Sequence, residues 1–124
     1  MHSSADGFDF SRNDRFGYVG WAFVALFGDM APTVGKVLAP VGFEIVRVDP
    51  ASGDIVEFAR NHGDKAAPAT KQKSRGFERP IAARFDPDGR SLYVVDFGVV
   101  RMTKDGPAPE PQTGAVWRIV KEAP

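Results

Sequence analysis

AFVALFG at Ala22–Gly28 and LYVVDFG at Leu92–Gly98 decide the reading of this chain. Each is an apolar run that ends in Phe-Gly, and the two lie 70 residues apart. IVRV at Ile45–Val48 aligns in the same way with VWRI at Val116–Ile119, at an offset of 71. In both copies a long Gly/Pro connection follows the Phe-Gly. A glycine-led strand with arginine in its third or fourth position comes next. Two matching elements in the same order and at nearly the same spacing mark a duplicated unit. Such units bury their faces against one another rather than alone. A blade of about four antiparallel strands per unit fits this pattern.

The rest of the chain reads outward from those strands. Trp21–Phe27 is continuously apolar, as expected of a strand buried on both faces. Phe43–Val48 and Asp54–Ala59 alternate around the turn Asp49-Pro50-Ala51-Ser52-Gly53 and form a hairpin. Ile81–Phe85 and Ser91–Asp96 flank a second tight turn, Asp86-Pro87-Asp88-Gly89. Ala115–Val120 is the last strand. Ser11–Arg15 (SRNDR) stands where the innermost strand of the first unit is expected, and it is too polar for a buried strand. The first unit therefore reads as incomplete, and the second stops after its third strand. The expected fold is all-β, a partial β-propeller of about two blades within a single domain over residues 1–124. The first blade covers about 15–60 and the second about 77–120, with 61–76 as a flexible connection.

Composition supports a packed core and excludes several classes. Apolar residues make up 43% of the 124 and charged residues 26%, ordinary values for a globular domain. Lys+Arg and Asp+Glu balance at 16 each, which gives no electrostatic pull toward nucleic acid. No stretch approaches the roughly 18 apolar residues of a membrane span. Met1–Asp6 has no signal-peptide pattern. There is no cysteine, hence no disulfide and no thiolate metal site.

Three connections are long: Gly28–Gly42, Arg60–Arg79 and Phe97–Gly114. Antiparallel strands place successive connections on alternate ends, so the two tight turns share one face and the three long connections share the other. Binding residues concentrate on long loops held by a rigid scaffold. Arg79 and Asp96 both lie on that face. Arg79 can grip a carboxylate by a bidentate hydrogen bond; the structural alternative is an exposed arginine that buttresses Pro80 or pairs with Glu78. Asp96 can accept from a ligand or pair with Arg79; the alternative is a cap on the following loop. Phe97 and Gly98 continue that loop at the pore edge. Asp86–Gly89 has too few oxygen ligands at fixed spacing for an EF-hand and reads as a β-turn. Gly17, Gly20 and Gly28 precede no helix and make no phosphate loop. His2 lies in a tail, and His62 in a loop reads as solvated.

Several stretches resemble the glucose/sorbosone dehydrogenase family, six-bladed propellers of which many use pyrroloquinoline quinone. They are ADGFDF at Ala5–Phe10, AFVALFGDMAP at Ala22–Pro32, APVGFEIVRVD at Ala39–Asp49 and FARN at Phe58–Asn61. RGFERPIAARFDPDGRSLYVVDFG at Arg75–Gly98 and TGAVWRI at Thr113–Ile119 complete the set. The resemblance covers the family's C-terminal third. The DPDG and LYVVDFG elements also occur in propellers of the NHL type, which bind no quinone. The stretch from Gly28 to Asp49 favours the sorbosone dehydrogenase branch.

The resemblance implies sugar oxidation with pyrroloquinoline quinone and calcium, an extracytoplasmic setting, and Arg79 as a cofactor contact with Asp96 beside it. The family pattern has two arginines separated by one residue, and Ile81 occupies the second position. No residue matches the family's catalytic histidine or its calcium ligands, so no catalytic residue is assigned. The expected partners are the remaining blades or further copies of the chain, three of which make six blades. The competing expectation is a non-catalytic module that binds a ligand or protein.

Overall fold

The computed structural model describes residues 3–30 and 39–122. His2 and the centre of the Gly28–Gly42 connection lie outside the described residues. The chain is nearly all β and its sheets are antiparallel. None closes into a barrel, which is a partial propeller-like arrangement. The first sheet contains β1 (Ala5–Phe10), β2 (Ala22–Leu26), β3 (Glu44–Val48) and β4 (Ile55–Arg60) in sequential order. The second contains β5 (Pro80–Phe85), β6 (Ser91–Asp96) and β9 (Ala115–Val120). Between β6 and β9 a small hairpin projects, made of β7 (Val100–Thr103) and β8 (Gly106–Pro109).

Strand pairing reproduces the sequence repeat. In the first sheet Ala22 pairs with Val48 and Ala25 with Ile45. In the second, Leu92 pairs with Ile119 and Val95 with Val116. These are the same pairs once the two offsets are applied. Gly28 and Gly98, which end the repeated runs, both have φ of +93°. A Cβ on Gly28 would collide with the Phe43 ring, and one on Gly98 would lie 2.6 Å from the Thr113 backbone. Each glycine thus lets its chain turn tightly under the start of the next strand.

Two features differ from the sequence expectation. Ala5–Phe10 is a full strand paired with β2, so the first sheet has four strands and begins at Ala5, not near residue 15. Ser11–Arg15 is not a failed strand but part of the β1–β2 turn. Ser11 is buried there, its hydroxyl donating to Gly17 O at 2.6 Å, and Asn13 O accepts from Phe16 N and Gly17 N. The polar residues close a turn and leave no strand to hide. The second feature is the 61–76 segment, expected to be flexible. It holds the short helix α1 (Ala69–Gln72) and is tied down by buried Asn61. The Asn61 amide donates to Ala67 O at 3.0 Å and Phe77 O at 2.7 Å, and its Oδ1 accepts from Phe77 N at 2.8 Å. One asparagine therefore does the work of a strand pair across this connection.

The sheets face each other across one core. β1 lies along β5 so closely that a Cβ on Gly7 would sit 2.9 Å from Ala82 Cα. Phe23, Ala25 and Ile45 of the first sheet pack with Ala83, Phe85, Leu92 and Val94 of the second. Phe16 from the β1–β2 turn fills the gap with edge-to-face contacts to Phe23 at 5.5 Å and Phe85 at 4.8 Å. Such rings add to area burial through their quadrupoles. At the opposite end from the long loops, Asn13 Nδ2 donates to Asp88 O at 2.6 Å. The β1–β2 turn and the Asp86–Gly89 turn thus share an end, as the alternation of connections requires.

Candidate functional site

The three long connections meet at the other end. They enclose a cleft of about 650 Å³, within the size range of small-molecule sites. Asp29, Pro40 and Phe43 come from the β2–β3 connection. Ala66–Pro68, Thr70, Lys71, Glu78 and Arg79 come from the β4–β5 connection, and Val99–Thr103 from the β7 hairpin. His62 is exposed and does not line the cleft.

Arg79 is held where a solvated arginine would not be. It is 6% exposed. Its guanidinium carbon lies 4.9 Å from the Phe27 ring and 5.1 Å from the Phe43 ring. Nη1 donates to Gly28 O at 3.2 Å and Asp29 O at 3.3 Å, with Phe27 O at 3.5 Å. The guanidinium therefore plugs the β2–β3 turn by donating to its carbonyl oxygens. Phe43 completes the clamp from a left-handed backbone conformation, φ +63°, that is costly for a bulky residue.

The clamp leaves capacity over. Nε and Nη2 make no hydrogen bond among the described residues, and no carboxylate forms an ion pair with the side chain there. Burial lowers the guanidinium pKa from its ordinary value, and the Asp29 and Glu78 carboxylates act against that shift. An arginine remains charged in any case. The sequence alternatives for Arg79 thus do not describe it. It is buried, and Glu78 is engaged elsewhere, accepting from Thr70 N at 2.7 Å and from the Thr70 hydroxyl.

Asp96 lies beneath the cleft floor and does not line it. It is 3% exposed. Its carboxylate accepts from Glu78 N at 2.8 Å, Arg79 N at 2.9 Å, Gly98 N at 2.9 Å and Trp117 Nε1 at 3.3 Å. It meets Arg79 through the backbone, not the guanidinium. Four donors occupy its lone pairs, so Asp96 fixes the positions of Glu78 and Arg79. It is a positioning residue with no capacity left for a ligand.

Lys71 and Arg101, which the sequence reading did not single out, also border the cleft. Arg101 is committed to Glu110, with Nε and Nη2 at 3.0 and 3.2 Å from its oxygens. Lys71 forms no ion pair among the described residues. The only sequence signal for Lys71 is its place in the basic run of the longest loop. The cleft is thus mainly apolar, with two cations available to an anion. Among the described residues no group of three or more His, Cys, Asp or Glu side chains can hold a metal. Calcium therefore finds no cluster of carboxylates among those residues.

Comparison with family models, curated proteins and solved structures finds no match to this chain.

Proposed function

We propose that this chain is the C-terminal part of a glucose/sorbosone dehydrogenase-like quinoprotein, and that its cleft binds a carboxylate of the quinone. The observation that carries the reading is Arg79, clamped between two aromatic rings with unused donors on a mainly apolar cleft. A carboxylate meeting Nε and Nη2 completes the guanidinium's hydrogen bonds in a bidentate pair. Val99, Met102 and the proline side chains supply apolar contact for a ring, and Lys71 offers a second cation. When bound, the quinone would supply a two-electron acceptor for sugar oxidation. This chain's own residues hold and orient it. Among the described residues no histidine lines the cleft to serve as base, and the proposed part of this chain is binding.

The absence of a histidine from the described cleft lining favours one competing reading, a non-catalytic module for small acidic ligands. Calorimetric titration with pyrroloquinoline quinone separates the two. The quinoprotein reading expects saturable binding to the wild type and at least tenfold weaker binding to Arg79→Met. The chain alone is expected to reduce no dye with aldoses, even with quinone and calcium supplied. Binding of simple aromatic dicarboxylates in preference to the quinone favours the module. Equal affinity of wild type and Arg79→Met for every acid tested removes both.

A further inference from the structure

The repeat and the burial pattern together say what the two outer faces of the molecule are for. The core side of the first sheet is built on Phe23, Ala25 and Ile45, each 0% exposed. Their repeat counterparts are Tyr93, Val95 and Val116. These stand on the opposite side of the second sheet and are exposed by 37%, 38% and 66%. The converse also holds. Leu92 and Val94 form the core side of the second sheet, and their counterparts are Ala22 and Val24. Those belong to the outer side of the first sheet, beside Phe8, Phe10 and Ile55, which are 49%, 45% and 70% exposed. So the outer face of the second sheet repeats the buried face of the first. The outer face of the first repeats the buried face of the second. Each is the partner that the other one's twin already has inside the molecule.

Charge agrees with this match. Register puts Glu44 beside Leu26 and Glu57 beside Val46, on the outer face of the first sheet. Arg60 sits at its edge and pairs with Glu57 at 3.0 Å. Register puts Arg84 and Arg118 on either side of Tyr93, on the outer face of the second. One face carries two acids and a single base, and the other carries two bases.

We propose that copies of this chain associate head to tail, the outer face of the second sheet of one copy seated on the outer face of the first sheet of the next. The contact repeats the packing already present between the two sheets. It is heterologous, so it closes into a ring or continues as an open stack according to its rotation. It uses neither Arg79 nor the cleft, so its test does not depend on whether the quinone binds.

Sedimentation velocity of the full chain over a range of concentrations tests it, with two single variants. Val116→Asp places a charge on one face and Ile55→Asp on the other. Both positions are exposed in the single chain, so circular dichroism should match the wild type. The wild type is expected to associate as concentration rises, and each variant alone to stay monomeric. Mixing the two variants is expected to give a one-to-one dimer, because each retains the face the other has lost. A wild type that is monomeric throughout overturns the proposal. So does either variant associating alone like the wild type, or a mixture that stays monomeric.

Discussion

Arg79 and Asp96 show how one short stretch separates binding from positioning. Both sit at the start of β5 or the end of β6, and both are buried. Asp96 holds three backbone N–H groups and one indole N–H. Removing a buried charged acceptor strands its donors. Asp96→Ala is therefore expected to lower stability by about 3 kcal/mol in urea denaturation. It should also weaken ligand binding, because Glu78 and Arg79 lose their anchor. Arg79→Lys keeps the charge but loses the planar fork, and should lose ligand affinity with a smaller change in stability than Asp96→Ala.

The sequence marked both residues, and loop lengths put the three long connections together at their end of the molecule. It did not show which of the two keeps free hydrogen-bonding capacity. That depends on Phe27 and Phe43, which meet around Arg79 only after β2 and β3 pair. Lys71 was hidden for another reason: loop lengths placed its loop at this end, but nothing in the sequence shows which of the loop's basic residues lines the cleft.

At the scale of strands, Gly7 and Asp9 fasten the two sheets. Gly7 has no room for a side chain against the β5 backbone. Gly7→Ala should cost about 1–3 kcal/mol, since the obstacle is main chain and cannot rotate away. Asp9 Oδ2 accepts from Phe85 N at 2.9 Å, and Arg84 Nη1 donates to Phe8 O, two polar links between β1 and β5. Burial works to raise the Asp9 pKa, but the Phe85 and Phe10 N–H groups and Arg12 outweigh it, and the pKa is lowered. The ionised form is thus favoured in the folded state. Its stabilisation is present above the ordinary carboxylate range, about pH 4, and is lost as pH falls through the lower folded value. Asp9→Asn is expected to flatten the loss of stability on acidification below about pH 4, read from denaturation midpoints at successive pH values.

β1 escaped the sequence reading because its alternation is carried by only Phe8 and Phe10, with Gly7 before them and Asp9 between. Its partner across the repeat was nonetheless in view. Phe10-Ser11-Arg12-Asn13-Asp14 occupies the place of Phe85-Asp86-Pro87-Asp88-Gly89, a strand end followed by a turn. The strands that were legible, such as β6 and β9, have β-branched residues on both faces. The hairpin β7–β8 carries three prolines and a glycine in or beside its second strand and gives no such signal.

For the whole molecule, the shared core makes the two sheets one cooperative unit. Phe23 lies between them, fully buried, in edge-to-face contact with Phe58 at 4.7 Å and Phe85 at 5.3 Å. Phe23→Ala should cost about 3–5 kcal/mol. Trp21 reports on the first sheet and Trp117 on the second, so single-tryptophan variants should unfold with coincident transitions. Separate transitions would mean that each sheet holds its own core. The duplicated sequence made the two sheets and their equal registers legible. The cleft was not legible, because it is built from connections whose sequences do not repeat.

The central claim is that this end of the molecule presents a clamped cation to an acidic ligand. Nitrogen-proton spectra of the arginine side chains test it most directly. On titration with pyrroloquinoline quinone, the Arg79 Nε–H signal is expected to shift saturably and further than that of Arg101, whose Nε is already bound to Glu110. An Arg79 signal that does not move while the quinone binds elsewhere, or that moves no more than Arg101, would contradict the account.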